Sequence, residues 1–167
     1  MIISPDQQLL TPEGKYLWSV PRVELAWNIC RSKWETELRT GKYKKAVLLA
    51  GLPGSGKSTW LEQNQEEGVL YFDACFKRAL NRRPLLNSAQ REGVPVQVVW
   101  LDTPLDICTS RNALRSPERR VPDSAMADMA SWFSKEPPNP KLEGFDLIRV
   151  PYREVELCEG CSCGGCS

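Results

Sequence analysis

The glycine-rich stretch "GLPGSGKST" at residues 51–59 has the residue types and the spacing that bind a phosphate group. It fits the pattern G-x-x-x-x-G-K-[ST], in which Gly51, Gly56, Lys57 and Ser58 occupy the fixed positions. The glycines let backbone N–H groups turn toward phosphate oxygens, the lysine contacts the outer phosphates, and the serine hydroxyl binds Mg²⁺. The pattern therefore predicts a site for a nucleotide and Mg²⁺. The expected phosphate contacts are Gly51, Pro53, Gly54, Ser55, Gly56, Lys57, Ser58 and Thr59.

A second group of residues suited to phosphate chemistry is the arginine-rich stretch "RNALRSPERR" at residues 111–120. Arg111 and Arg115 are four residues apart, so they share one face of a helix. Guanidinium groups stabilise the negative charge that spreads over a phosphoryl group during its transfer. We therefore expect an arginine-bearing lid, in which Arg111, Arg115 and Arg120 contact phosphate while Arg115 and Arg119 act in catalysis. The alternative is a basic face that is simply solvated.

Two carboxylates, Asp73 and Asp102, each stand at the end of an apolar run that predicts a strand. Ligands of open α/β sheets bind at the carboxyl ends of the strands. A carboxylate there can help to hold Mg²⁺, or it can accept the proton of an attacking hydroxyl. We expect Asp73 to take part in catalysis and both residues to be candidates for the metal. Asp102 is equally explained as a turn residue because Thr103 and Pro104 follow it.

The elements that must position these residues follow from the hydrophobic pattern. Apolar and β-branched runs predict strands at 45–50, 69–73, 94–102 and 145–150, and helical segments separate them. Alternating strands and helices predict an α/β fold of the P-loop NTPase type, with a parallel sheet flanked by helices. Residues 1–20 show no such pattern and are expected to form an irregular arm.

An amphipathic helix is predicted from Pro21 to near Gly41, so the chain should have a helical N-terminal extension. Trp27 and Trp34 lie on the apolar stripe of this helix. Such a stripe could stack nucleic-acid bases, but core packing is the expected role. A further basic group could face an anionic acceptor or solvent, and it consists of Lys77, Arg78, Arg82, Arg83 and Arg91.

Composition narrows the class of protein. The chain has 167 residues, of which 41% are hydrophobic and 26% charged, and its net charge is +1. These values are typical of a globular protein that has no overall field to attract nucleic acid or membrane. The absence of histidine excludes every mechanism that needs one as a base. The sequence shows neither a signal peptide nor a membrane-spanning run, so we expect a cytoplasmic protein without a membrane partner.

Four of the seven cysteines crowd the last ten residues in the pattern C-x-x-C-x-C-x-x-C. Four thiolates can surround one Zn²⁺ tetrahedrally, and an iron–sulfur or Cu(I) site is the weaker metal alternative. The remaining possibility is a flexible tail without a metal. The candidate zinc ligands are Cys158, Cys161, Cys163 and Cys166. Cys30, Cys75 and Cys108 are expected to be reduced and buried.

Several motifs in order resemble those of P-loop kinases similar to the kinase domain of bacteriophage polynucleotide kinase, within the zeta-toxin-like and AAA-type ATP-binding kinase group. The matching stretches are "GLPGSGKSTW", "VLYFDACF", "VVWLDTPLDICTSRN" and "RSPERRVPDSAM", and the likeness covers about residues 46–150. It implies that Lys57 and Ser58 contact the phosphates and Mg²⁺ of ATP and that the lid arginines contact the donor. It also implies transfer of the γ-phosphoryl group to a hydroxyl, with a nucleic-acid 5′-hydroxyl as the expected acceptor. The alternatives are a small-molecule kinase and an ATP-binding regulator without transfer.

The chain departs from this family in two places. The family has an additional strand, bearing the aspartate that acts as base on the acceptor, between the helix after the phosphate loop and the next strand. Here only residues 63–68 separate the two elements, so that segment is missing. In addition, Ala74 and Cys75 replace a Thr-Asn pair of the family. We expect Asp73 to replace the missing base, or the first 45 residues to supply the acceptor side.

The resemblance and the composition together divide the chain into three parts. Residues 1–45 are expected to form the N-terminal arm and amphipathic helix, and residues 46–152 the P-loop kinase-like domain. Residues 153–167 are the cysteine-rich tail.

Overall fold

The computed structural model describes residues 1–17 and 19–153, and in them one five-stranded sheet is surrounded by seven α-helices. The strands are β1 (Ile2–Ile3), β2 (Lys45–Ala50), β3 (Val69–Asp73), β4 (Val96–Asp102) and β5 (Asp146–Pro151). The helices are α1 (Pro5–Gln8), α2 (Val20–Arg39), α3 (Lys57–Asn64), α4 (Ala79–Arg91), α5 (Leu105–Ala113), α6 (Asp123–Lys135) and α7 (Pro140–Glu143). Within these residues, every helix is too short or too polar to cross a lipid bilayer. The predicted cysteine cluster at residues 158–166 lies outside the described residues.

The sheet has the strand order β1-β3-β2-β4-β5, and every neighbouring pair is parallel. This arrangement confirms the predicted α/β fold of the P-loop NTPase type. The four strands predicted from apolar runs are all present, and β2 and β3 have the predicted bounds. The parallel direction brings the carboxyl ends of all five strands to one edge of the sheet, where ligands of such folds bind.

The N-terminal arm contributes to the sheet, contrary to the expectation of an irregular segment. Ile2 pairs with Tyr71 and Ile3 with Phe72, so β1 is the edge strand beside β3. Ile3 is buried against the core, which explains why an apolar pair is found there. A strand of two residues is too short to show a periodic pattern, so the amino-acid sequence does not predict it.

Apolar side chains pack on both faces of the sheet because side chains alternate along each strand. Leu48 and Phe72 face the larger cluster, which α2, α4 and α6 cover, whereas Leu49 and Tyr71 face a smaller cluster under α3. Trp34 of α2 is fully buried in the larger cluster. Its Nε1 atom donates to Leu85 O at 3.3 Å and to Ser88 Oγ at 3.1 Å.

The role of the tryptophan stripe on α2 follows from these contacts. Trp27 stacks on Phe72 with ring centroids 5.7 Å apart and meets Phe76 edge-on at 5.6 Å. Trp34 meets Phe72 edge-on at 5.7 Å. The prediction of core packing is confirmed, and a base-stacking platform is excluded because the rings are engaged inside the protein.

The second basic group mainly forms ion pairs. Arg82 is fully buried, and its guanidinium binds both carboxylate oxygens of Glu143, at 2.8 and 2.7 Å. Arg82 also donates to Phe76 O at 2.7 Å. Around the surface, Lys77 pairs with Asp128, Arg78 with Glu136 and Arg91 with Glu35. Arg82 therefore fixes α7 to α4 instead of facing an acceptor.

We expect Arg82→Met to lower the free energy of unfolding by about 3–5 kcal/mol, because it leaves the largely buried Glu143 carboxylate without its cation. Urea unfolding measures this difference. Arg83→Met is the matched control, since Arg83 is the neighbouring residue on α4 and is exposed. Equal unfolding midpoints for the two variants would contradict the role of the Arg82–Glu143 pair.

Candidate phosphate-binding site

The loop between β2 and α3 follows the carboxyl end of a strand that is buried from Ala46 to Ala50, and it packs closely against its neighbours. Gly51 has a φ of +151°, and a Cβ there would lie 2.9 Å from Leu101 O. Gly54 has a φ of +83°, and a Cβ there would lie 2.7 Å from Cys108 O of α5. Both contacts are closer than any Cβ tolerates, so the loop can hold this shape only with glycine at these positions.

Two further hydrogen bonds attach the loop to the ends of the adjacent strands. Thr103, which follows β4, donates through its Oγ1 atom to Ser55 O at 2.9 Å. Gly51 N donates to Cys75 O, beyond the end of β3, at 3.2 Å. The loop is thus fixed from both sides, and its geometry depends on the sheet more than on the loop itself. Pro53 is half-buried in this loop.

Lys57 begins α3, and its ammonium folds back over the loop. Its Nζ atom donates to Gly51 O and to Leu52 O, each at 2.9 Å. Gly56 precedes it in a left-handed conformation, and within the described residues no side chain caps the first turn of α3. Unpaired N–H groups at the start of a helix, with a lysine beside them, form a binding site for phosphate oxygens.

A cavity of about 510 Å³ joins the loop to the arginine-rich segment. Lys57, Ser58 and Thr59 line it from α3, and Arg111 and Arg115 line it from α5 and the segment that follows α5. No carboxylate of the described residues lines this cavity. Three positive charges without a negative one produce a field that attracts a polyanion such as a triphosphate.

The arginine-rich segment forms a lid whose two ends are joined by a buried side chain. Asn112 donates through Nδ2 to Val121 O at 2.7 Å and accepts from Val121 N at 3.1 Å. Residues 113–120 therefore form a loop with a fixed base, which contains a 3₁₀ turn at Pro117–Arg119. The sequence carries no local signal for this bond because its two partners are nine residues apart.

The structure brings some of the predicted arginines to the cavity and not others. Arg111 donates to Gly54 O at 3.1 Å, and Arg115 lines the cavity. Arg120 instead donates to Ala113 O at 2.6 Å, at the end of α5. Arg119 lies over the ring of Tyr16 at 6.0 Å. Of these arginines, Arg111 and Arg115 thus line the cavity, whereas Arg119 and Arg120 make other contacts.

Asp73 ends β3, next to the phosphate-loop strand β2, as the sequence predicts. Its Oδ1 atom is buried and has no hydrogen-bond partner within the described residues. Burial raises the pKa of Asp73, the charges of Lys57 and Arg115 oppose this effect, and the charge of Asp6 adds to it. A buried carboxylate oxygen without a partner is unfavourable unless a ligand satisfies it.

These groups fit Mg²⁺. The unsatisfied Asp73 oxygen is of the ligand type that Mg²⁺ prefers, and of these two residues Ser58 is the one that lines the phosphate-loop cavity. No group of three or more His, Cys, Asp or Glu side chains that could hold a metal occurs in residues 1–17 and 19–153. Mg²⁺ needs no such group, since phosphate oxygens and water supply most of its ligands.

Asp102 occupies a different place from Asp73. Arg149 of β5 binds its Oδ2 atom, with Nε at 2.8 Å, and this guanidinium also lies over Trp100 at 4.9 Å. Asp102 lines a separate cavity of about 300 Å³, together with Trp100 and Phe133. Arg149 therefore pairs with the carboxylate that the sequence suggested for Mg²⁺, and Asp102, like Asp73, is absent from the lining of the phosphate-loop cavity.

Comparison with known families gives one result. A family model described as an AAA domain matches residues 65–137. The match begins after the phosphate loop and covers less than half of the chain, including Asp73 and the lid. No curated protein matches the chain. The loop and the family match thus support a P-loop NTPase-type nucleotide site from different residues, and neither singles out phage polynucleotide kinase.

We expect Gly54→Ala to weaken ATP binding at least tenfold, corresponding to about 1.4 kcal/mol, because its Cβ would displace the loop from Cys108 O. Titration with a fluorescent ATP analogue measures the affinity. Gly93→Ala is the matched control, because Gly93 also has a positive φ (+66°) and has nothing within 4 Å of an added Cβ. The same affinity in both variants would show that the contact of Gly54 with α5 does not shape the site.

Proposed function

We propose that this protein is a kinase that transfers the γ-phosphoryl group of ATP to a hydroxyl, with the 5′-hydroxyl of a nucleic acid as acceptor. One observation carries the proposal: Lys57 of the phosphate loop and Arg111 and Arg115 of the lid line one cavity. Phosphoryl transfer spreads negative charge over the moving group and its leaving oxygen. Cations from two separate elements stabilise that charge better than the phosphate loop could alone.

Each group of residues would have a role in phosphoryl transfer that follows from its position. The phosphate-loop N–H groups and Lys57 would bind the outer phosphates, with the ammonium exchanging its two carbonyl partners for phosphate oxygens. Ser58 and Asp73 would hold Mg²⁺, which neutralises phosphate charge when it is bound. Arg115 would contact the transferring group from the lid and help to exclude water.

The acceptor is inferred from the resemblance and from the charge of the protein. A net charge of +1 disfavours binding along a nucleic-acid strand, which depends on many phosphate contacts. It is compatible with binding one end, where a local set of cations suffices. A small molecule with a hydroxyl group is the alternative acceptor.

Incubation with γ-labelled ATP and Mg²⁺ tests the function directly. The acceptors are RNA and DNA oligonucleotides with a 5′-hydroxyl, and the same oligonucleotides with a 5′-phosphate are the control. We expect label only on the 5′-hydroxyl oligonucleotides. Label on small hydroxyl compounds alone would mean that the acceptor is a small molecule and not a nucleic acid. ATP binding without any transfer would mean that the protein is an ATP-binding regulator.

We expect Lys57→Ala to lower kcat by about 10²–10³-fold and to weaken ATP binding, because the charge on the outer phosphates is lost. Steady-state transfer and nucleotide titration measure the two effects. Lys42→Ala is the control, since Lys42 is exposed and precedes β2. An unchanged ATP affinity together with an unchanged kcat in Lys57→Ala would contradict the assignment of residues 51–59 as the phosphate-binding loop.

We expect Arg115→Ala to lower kcat at least tenfold while ATP affinity changes little, because charge stabilisation grows in the transition state. Arg119→Ala should affect kcat as well if the lid brings this residue to the phosphates during transfer. Arg83→Ala provides an exposed arginine for comparison. A kcat within about twofold of the wild type in both lid variants would mean that these arginines are solvated surface.

A further inference from the structure

The loop between β3 and α4, residues 74–78, holds the phosphate loop from one side. Gly51 N donates to Cys75 O at 3.2 Å, and Gly51 O accepts from the Lys57 ammonium at 2.9 Å. Both peptide groups of Gly51 are therefore held, one by the β3–α4 loop and the other by the lysine that is expected to contact phosphate. The direction of the Cys75 carbonyl thus affects the place of the residue to which Lys57 is bound.

The direction of the Cys75 carbonyl depends on the next residue, Phe76. This carbonyl belongs to the planar peptide unit that joins the two residues, and that unit turns with the φ angle of Phe76. Phe76 has a φ of +49°, and it is the one residue other than glycine with a positive φ in the part of the chain that the structure describes. A bulky side chain disfavours this conformation, so surrounding contacts must hold it.

Contacts hold Phe76 at both its ring and its carbonyl. The ring is buried, meets Trp27 edge-on and lies 5.3 Å from the Phe72 ring. The carbonyl oxygen accepts from Nη1 of Arg82 at 2.7 Å. Arg82 is fully buried, and its Nε and Nη2 atoms bind the two carboxylate oxygens of Glu143. Glu143 thus fixes the guanidinium in the orientation that reaches the Phe76 carbonyl.

Stability alone does not explain a buried ion pair at this position. The attraction between two charges repays the cost of removing them from water only when the geometry is favourable, and apolar pairs of similar volume are often as stable. An apolar pair could not donate a hydrogen bond to the Phe76 carbonyl. The other cations beside this carbonyl, Lys77 and Arg78, form ion pairs that are partly exposed, and such pairs contribute little.

We propose that Arg82 is a positioning residue for the phosphate loop, on which it acts through two residues of the β3–α4 loop. Arg82 holds the Phe76 carbonyl, and the φ of Phe76 directs the Cys75 carbonyl. The Cys75 carbonyl in turn holds Gly51 N. Arg82 does not line the phosphate-loop cavity, so it is not a catalytic residue. This inference rests on the proposed function, in which residues 51–59 bind the phosphates of ATP.

The test removes the ion pair with and without leaving an unpaired charge. Arg82→Met leaves the Glu143 carboxylate without its cation, so it lowers stability. The double variant Arg82→Met/Glu143→Leu removes both charges and should recover most of the unfolding midpoint. Both variants lack the donor to Phe76 O. We expect each to bind Mg-ATP about tenfold more weakly than the wild type, measured by nucleotide titration below the unfolding transition.

Two controls separate this effect from lost stability and from lost charge. Leu38→Ala removes a buried side chain near the end of α2, which lowers stability but leaves the hydrogen bonds of Arg82 in place. Lys77→Met removes a cation next to Phe76 whose pair with Asp128 is partly exposed. Both controls should bind Mg-ATP as the wild type does. Wild-type affinity in the double variant, or an equal loss of affinity in either control, would overturn the proposal.

A second measurement needs no nucleotide. Hydrogen exchange followed by NMR reports how readily each backbone amide opens. In the double variant, the Gly51 amide should exchange about tenfold faster than in the wild type, because its acceptor is no longer held, while the amides of β2 keep their protection. An unchanged exchange rate at Gly51 would overturn the proposal.

These readouts distinguish failure of this inference from failure of the proposed function. A wild-type protein that binds Mg-ATP but transfers no phosphoryl group would overturn the kinase function, and a weaker affinity in the double variant would still support the role of Arg82. A wild-type protein that binds no ATP would overturn both proposals.

Discussion

The parallel pairing of β2 with both β3 and β4 decides where the polar groups of the site lie. Leu49 is the neighbour of Asp73 on one side and of Val99 on the other, so β2 ends one residue beyond the end of β3, and β4 continues two residues beyond the end of β2. The phosphate loop leaves β2 at that level and is bound by Cys75 from the β3 side and by Thr103 from the β4 side. A shift in the register of either neighbour would remove one of these bonds and release the loop.

The cationic character of the cavity depends on how the remaining basic residues are used. The protein is almost neutral, with a net charge of +1, so a strong local field needs charges that are not balanced nearby. Arg82 and Arg149 bind Glu143 and Asp102, which cancels their fields at short range. Lys57 instead binds backbone carbonyls, which leaves its full charge beside the cavity. The lining of the cavity is therefore positive because no carboxylate of the described residues is part of it.

The sequence was sufficient for those parts whose signals are local. The apolar runs predicted β2 and β3, and the spacing of Gly51, Gly56 and Lys57 predicted the loop between β2 and α3. The position of Asp73 at the end of a strand was predicted correctly, because it follows directly from the apolar run that forms β3. In contrast, the Arg149 partner of Asp102 comes from 47 residues away, and no local pattern indicates which charges will meet. Likewise, no local pattern indicates that Arg120, which the sequence suggested as a phosphate contact, binds the end of α5 instead.

The N-terminal segment shows how a short strand can hold a position that its own pairing could not maintain. β1 has two residues, so its ladder contributes few hydrogen bonds. Helix α2, further along the chain, buries Cys30, Trp34 and Leu38 in the main core, and each large apolar side chain contributes about 1.5–3 kcal/mol on burial. Because α2 is fixed in this way, the chain before it has little freedom to leave the sheet edge. The packing of α2 thus helps to hold β1 at the sheet edge beside β3.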